Sequence, residues 1–151
     1  VNGQAYTWDA NGNLLNDAVS AYTYDQANRL KTVSSGQLPV NSYAYNGLGD
    51  RLQQTVGVTQ TRYVLDPGSG LTQVLADGTS TYLYGLGRVA QQQTTMQYFG
   101  ADALSSVRQM YNASGQIVAN NRYDPFGSVL AQSGVGGSNY GFAGEWMFPL
   151  R

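Results

Sequence analysis

The sequence contains no cysteine and no histidine, and Lys31 and Glu145 are its only lysine and only glutamate. Without thiols or imidazoles, disulfides, thiol nucleophiles, His-dependent acid–base schemes and ordinary zinc sites are excluded. Charged residues make up 11% of 151 residues and the net charge is −1. A basic footprint for nucleic acid or for an anionic membrane surface is therefore missing. Long apolar runs are missing as well. The uncharged stretch Pro125–Gly144 is broken by Gly127, Gly134, Gly136 and Gly137, so it cannot form a spanning helix. No segment has the pattern of a signal peptide. The first residue is Val1 rather than methionine, which fits a processed product or a fragment, and the lack of cysteine suits a secreted protein that uses no disulfides.

What is present is the material of strands and turns. Tyrosine occurs 12 times and glycine 19 times, with many Thr, Val, Gln and Asn residues between Gly, Asn and Asp clusters. Surface helices depend on Glu, Lys and Arg, and these are scarce here. β-branched and aromatic residues between turn formers predict an all-β chain.

Internal repetition organises those residues. Tyr6-Thr-Trp8-Asp9-Ala-Asn11-Gly12-Asn13-Leu14 is followed by Tyr22-Thr-Tyr24-Asp25-Gln-Ala-Asn28-Arg29-Leu30, then by Tyr43-Ala-Tyr45-Asn46-Gly47-Leu48-Gly49-Asp50-Arg51-Leu52. Weaker copies begin at Tyr63, at Tyr82 (with Tyr84) and at Tyr98, so the leading tyrosines are spaced by 16, 21, 20, 19 and 16 residues. Residues i and i+2 of a strand share a face, which aims each tyrosine pair to one side. The following Asp can bond the backbone two residues on, and Asn28 or Gly12 tolerates the positive φ of a reversal. Each unit reads as a β-hairpin. A lone hairpin is marginal in water, so about seven laid side by side are expected to form one curved sheet strip.

These units resemble the YD repeats of the RHS/YD-repeat family. Tyr98-Phe-Gly-Ala-Asp102-Ala-Leu104-Ser-Ser106-Val107-Arg108 resembles the RHS-repeat-associated core domain. The core pattern continues in order through Asn112-Ala-Ser114-Gly115, Arg122-Tyr123-Asp124-Pro125-Phe126-Gly127 and Tyr140-Gly-Phe142-Ala-Gly144-Glu145-Trp146. The resemblance divides the chain into YD-repeat hairpins at 1–97, a core-like segment at 98–146 continuous with the same sheet, and a tail at 147–151. It implies a sheet strip that spirals into a hollow shell around a toxic C-terminal domain, which an aspartyl autoprotease releases. It also implies bacterial toxin relatives, alongside animal teneurins, and a secreted or cell-surface location. Ser105 stands where the family has glycine, which predicts a relaxed or altered turn. The strand and cleavage segment that follow in the family are not found after Trp146, which places protease and cargo outside these residues.

Asp9, Asp25, Asp66 and Asp124 each follow a strand residue and open a turn, which accounts for them without catalysis; Asp124 keeps a trace of the autoprotease reading. The stretches Gly85-Leu-Gly87, Gly47-Leu-Gly49 and Gly134-Val-Gly136-Gly137 lead into no helix, so they are turns or loops rather than phosphate cradles. The loops Asp9–Asn13 and Asn46–Asp50 supply oxygens but lack the ligand density of a calcium site. Arg29, Arg51, Arg62, Arg88, Arg108 and Arg122 are spread along the repeats, which suits solvated edges or stacking on tyrosine better than an anion site.

The resulting expectation is a structural wall segment that is not an enzyme, with no catalytic residue, cofactor or metal. Its repeat residues are Tyr6, Trp8, Asp9, Tyr22, Tyr24, Asp25, Tyr43, Tyr45, Tyr63, Tyr82, Tyr84, Tyr98, Tyr123, Asp124, Pro125 and Gly127. One packed face is expected to carry Tyr22, Tyr24, Tyr43, Tyr45, Tyr63, Tyr82, Tyr84, Tyr98 and Tyr123. The alternative is a binding module whose open Tyr/Trp rows, including Trp8 and Trp146, stack on glycans. Few charges guard the strip's edges, so a homo-oligomer or a neighbouring RHS segment is expected to complete them, with neither nucleic acid nor a membrane span involved.

Overall fold

The structure is a computed structural model that describes residues 6–36, 40–68, 70–135 and 137–145; Trp146 and residues 147–151 lie outside them. Fifteen strands follow one another with no α-helix among the described residues. The first seven are β1 (Thr7–Trp8), β2 (Leu14–Asn16), β3 (Ser20–Tyr24), β4 (Leu30–Ser35), β5 (Asn41–Tyr45), β6 (Arg51–Val56) and β7 (Thr59–Arg62). The next eight are β8 (Val64–Asp66), β9 (Gln73–Ala76), β10 (Thr81–Tyr84), β11 (Arg88–Gln92), β12 (Met96–Ala101), β13 (Val107–Tyr111), β14 (Ile117–Tyr123) and β15 (Val129–Gly134). A 3₁₀ turn spans Phe142–Gly144. Pairing is antiparallel and in chain order throughout, β1 to β7 in one sheet and β8 to β15 in another. This is the expected all-β architecture of consecutive hairpins, divided over two sheets. Among the described residues no helix is long and apolar enough to cross a membrane.

By its contacts the chain forms two compact units, Val1–Gly78 and Thr79–Arg151. The boundary proposed from the motifs, 97/98, falls inside β12 of the second unit.

In the first unit the strand alternation is clear. In β3, Ser20, Tyr22 and Tyr24 are half-buried while Ala21 and Thr23 are exposed. Cross-strand register joins Tyr22 to Val33, Val33 to Asn41, Tyr43 to Gln54 and Gln54 to Thr61, so one face carries the tyrosines. The other face is small and polar, with Thr23 opposite Thr32 and Ala44 opposite Gln53. Tyr63 stands between β7 and β8, half-buried, its N–H donating to the Leu52 carbonyl at 2.9 Å.

The second unit holds the buried apolar side chains found among the described residues. Met110 and Ala119 face one another across β13 and β14, with Phe99 beside Met110 on β12. Tyr82, Val107, Tyr123 and Tyr140 are buried around them. Tyr98 departs from expectation. Its register partners are Ala90 and Tyr111, which puts it on the face opposite Phe99 and Met110, 40% exposed. The physical reason is the strand's period of two. The repeat here reads Tyr98-Phe99-Gly100, and Phe99 takes the core position.

Candidate functional site

The most repeated local structure is a five-residue turn, and it is built from one chemical device. The first residue, Asp or Asn, uses its Oδ1 to accept the backbone N–H groups two and four positions on. In the Asp25 turn these come from Ala27 at 2.9 Å and Arg29 at 3.0 Å. In the Asp124 turn they come from Phe126 at 2.8 Å and Ser128 at 2.9 Å. The same pair of bonds forms at Asp9, Asn46, Asp102 and Asn112. The backbone closes the loop too, since the N–H of the fourth residue donates to the carbonyl of the first. That fourth residue has positive φ in every copy: Gly12, Asn28, Gly49, Ser105, Gly115 and Gly127. A register shift then follows in the strand pair, as a bulge next to a type I turn requires.

Ser105 therefore corrects one expectation. The turn is not altered: Ser105 adopts φ 64 and keeps the bond from its N–H to the Asp102 carbonyl at 2.9 Å. The carboxylate and its bonds hold the conformation against the serine's own preference. Asn46 and Asn112 open turns as well as any aspartate does, and the Asn-x-x-Gly spacing was the signal for both.

In the turns opened by aspartate, these hydrogen bonds favour the charged carboxylate. Asp102 is held below its ordinary pKa first by Arg108, and Asp25 and Asp124 first by the backbone N–H groups of Arg29 and Ser128. Asp9 is lowered first by the Asn13 side chain. With both Asp9 oxygens accepting from Asn11 and Asn13, the Asp9–Asn13 loop is occupied internally. Asp66 likewise accepts from the Gly68 N–H at 2.8 Å. Among the described residues no three acidic side chains cluster as a metal site would require.

Neighbouring turns are tied to one another. Asn13 Nδ2 donates to Asn28 Oδ1 at 2.8 Å, and Arg29 Nη1 donates to the Asn46 carbonyl at 2.8 Å while its Nε binds Asp25 at 2.7 Å. The guanidinium of Arg29 lies 4.9 Å from the centre of the Tyr45 ring, Arg51 5.5 Å from Tyr43, Arg88 5.5 Å from Tyr84 and Arg108 5.3 Å from Tyr123. The arginines thus stack on the tyrosines of the repeats. In the first unit Tyr22, Tyr24, Tyr43, Tyr45 and Tyr63 stay half-buried on this face. Trp8 on β1 is 59% exposed and Tyr6 precedes it, also exposed.

In the second unit the face is covered by its own chain. Residues 137–145 return across β10, β11, β13 and β14. Tyr82 meets the Tyr140 ring edge-on at 4.9 Å, and Arg88 lies over Tyr140 while donating to the Gly144 carbonyl at 3.1 Å. Buried Gln91 donates to the Gly137 carbonyl at 2.9 Å. The Val107 N–H donates to the Gly141 carbonyl at 2.9 Å, and the Ala143 N–H to Ser106 Oγ at 3.0 Å. Burial pushes the Tyr140 hydroxyl well above its ordinary pKa. Tyr123 donates to the Val107 carbonyl at 3.2 Å and packs on Phe142. Gly127 is needed twice here, for φ 93 and because a Cβ would lie 2.8 Å from the Phe142 ring. Pro125 is exposed in the same turn. Gln91 and Met110 carried no sequence signal, and Ser106 entered only as part of the core motif, because their importance comes from what crosses them.

Comparison with known proteins agrees with this architecture. The chain is 28% identical over 156 aligned positions to a tRNA3(Ser)-specific nuclease WapA of Bacillus spizizenii and to the tRNA nuclease WapA of Bacillus subtilis. Each match covers 95% of this chain and 7% of the relative, so the chain spans a small part of their length. Its fold is similar to the crystal structure of TcdB2-TccC3, with a TM-score of 0.64 at 14% identity over 92% of this chain and 8% of that one. The Photorhabdus luminescens Tc holotoxin pore matches with a TM-score of 0.59 at 16% identity over 84% of this chain and 7% of that one.

The relatives correct the expectation of a chain with no enzymatic role, since they are named as tRNA nucleases. That expectation rested on the missing histidine and cysteine, an inventory that speaks only for these 151 residues. The hairpins paired in order, the Asp/Asn turns and the tyrosine face are the parts that the Teneurin YD-shell family model aligns over residues 1–147, and the chain belongs to that family.

Proposed function

We propose that this chain is a length of shell wall in a longer protein of the YD-shell kind. In the first unit the tyrosine face lines the enclosed side, and the small, polar face meets the surroundings. The observation that carries this reading is the pairing of consecutive strands in chain order within each of two sheets, an arrangement that extends by adding hairpins and ends in open edges. The WapA relatives support a role beside a tRNA-nuclease activity of the whole protein, and the family supports a secreted or cell-surface setting. The division into repeat hairpins at 1–97 and a core-like segment at 98–146 is one of sequence motif, and both lie in the same wall. A glycan is not called for, because guanidinium groups already occupy rings of the tyrosine face.

A wall segment needs a next strand. β15 is the last strand of its sheet, is exposed along its whole length, and reads Val-Leu-Ala-Gln-Ser-Gly without a charge. Such an edge pairs readily with another strand. A neighbouring RHS segment is its natural partner in a longer protein, and a second copy stands in for that segment when the chain is alone. Sedimentation velocity over a concentration series is expected to show association that the Leu130→Lys/Gln132→Lys variant removes. A parent that stays monomeric at every concentration, or a variant that associates as the parent does, would overturn edge completion.

A further inference from the structure

An asparagine followed by glycine is open to a reaction of the chain on itself, because glycine has no Cβ to shield its backbone nitrogen. That nitrogen can attack the asparagine side-chain carbonyl. Such pairs occur at Asn2-Gly3, Asn11-Gly12 and Asn46-Gly47, and the first lies outside the described residues. The other two are held in unlike ways.

The Asn46 turn sets donors on the oxygens where charge would develop. Asn46 Oδ1 accepts the N–H groups of Leu48 and Asp50, each at 2.9 Å, so two fixed donors already polarise the carbonyl to be attacked. The main-chain carbonyl of Asn46 shares its peptide group with the Gly47 nitrogen. It accepts from Arg29 Nη1 at 2.8 Å and from the Gly49 N–H at 3.2 Å. When that nitrogen gives up its proton, negative charge spreads onto the same oxygen, and a guanidinium beside it favours the charged form. Asn46 Nδ2, the group to be expelled, donates to Asp50 Oδ2 at 2.8 Å. The ring closed by the bond from Leu48 to Oδ1 contains both Cγ and the Gly47 nitrogen, so joining these two atoms only contracts it.

Two other asparagines each lack a part. Asn112 accepts the matching pair of bonds from Ser114 and Gln116, and its Nδ2 donates to Gln116 Oε1. Ala113 follows it, however, and its Cβ shields the nitrogen. Asn11 is followed by Gly12, whose N–H is taken by the Asp9 carbonyl at 3.1 Å. The Asn11 amide donates to Asn28 of the next turn.

We propose that Asn46-Gly47 is a self-modification site, at which the folded turn itself promotes conversion of the asparagine to an acid. Solvent base removes the Gly47 N–H proton, the nitrogen bonds to Asn46 Cγ, and the Cγ–Nδ2 bond breaks as Nδ2 takes a proton from water and leaves as ammonia. Water then opens the cyclic imide. Opening at Cγ leaves an aspartate, which caps the turn as Asp25 and Asp124 cap theirs and adds a negative charge beside Asp50. Opening at the main-chain carbonyl leaves an isoaspartyl link, which lengthens the backbone within the turn.

The test incubates the full chain in warm neutral buffer and follows Asn11, Asn46 and Asn112 by peptide mapping with mass spectrometry, beside the same chain in concentrated urea. In the folded chain Asn46 is expected to convert about ten-fold or more faster than Asn11 and Asn112. In urea its lead over Asn11 is expected to vanish, since both are then plain Asn-Gly pairs. Gly47→Ala is expected to stop conversion at Asn46 without loss of melting temperature, because Gly47 is not at positive φ and a Cβ there meets nothing within 4 Å. Ala113→Gly is expected to raise the rate at Asn112 above that of Asn11. An Asn46 that converts no faster folded than in urea, or no faster than Asn11, would overturn the site. So would a Gly47→Ala chain that converts as the parent does, or an Asn112 rate unmoved by Ala113→Gly.

Discussion

Replacing Ser105 with glycine is expected to stabilise the protein, although it removes atoms. Five turns of identical bonding place Gly12, Asn28, Gly49, Gly115 and Gly127 where Ser105 stands, all at positive φ. An L-residue in that region costs about 1–2 kcal/mol. Glycine returns part of this, about 0.4–1 kcal/mol, because it loosens the unfolded chain. The net gain is about 0.5–1 kcal/mol, which is a rise of roughly 1–4 °C in melting temperature for a chain of this size. Gly115→Ser is the mirror experiment. A Cβ there meets nothing within 4 Å, so its loss is purely conformational and of similar size. Thermal melting by circular dichroism and urea titration would measure both. A Ser105→Gly protein that melts at or below the parent, while Gly115→Ser loses stability as expected, would refute the reasoning. It would mean that the bonds of the Asp102 turn already offset the strain at Ser105.

Two further perturbations follow from the same geometry. Gly134→Ala would put a Cβ 2.1 Å from the Val118 carbonyl oxygen and 2.8 Å from the Ala119 Cα, at φ 96; both neighbours are backbone. A cost of about 3 kcal/mol or more is expected, read as lost amide-exchange protection along β14 and β15, and unchanged protection would show that the close approach is not real. Acid sensitivity comes from the capping aspartates. Asp9, Asp25, Asp102 and Asp124 have folded values below the ordinary 3.8, so their contribution is complete above that pH and is lost as pH falls through the folded values. Asn46 and Asn112 cap without titrating. Asp102→Asn/Asp124→Asn should therefore flatten the fall in urea-unfolding stability below about pH 4, and an equally steep fall would count against capping as its source.

Much of this molecule was legible from the order of its residues, because its dominant structure is local. The Asp or Asn that caps a turn, its N–H partners and the positive-φ residue all lie within five positions, so Asp25 to Arg29 can be read without knowing what surrounds them. Tyrosines at i and i+2, such as Tyr22 and Tyr24, reveal their common face for the same reason. Tyr98 needed the register of β11, β12 and β13, since a single-residue slip exchanges the faces of a strand. What only the tertiary structure decided is the covering of the second unit. Arg88 reaches Gly144, Gln91 reaches Gly137 and Ser106 reaches Ala143 across 37 to 56 residues. Nothing in a local pattern says which strand a returning segment crosses; that depends on which face is left open and on the burial that closing it gains.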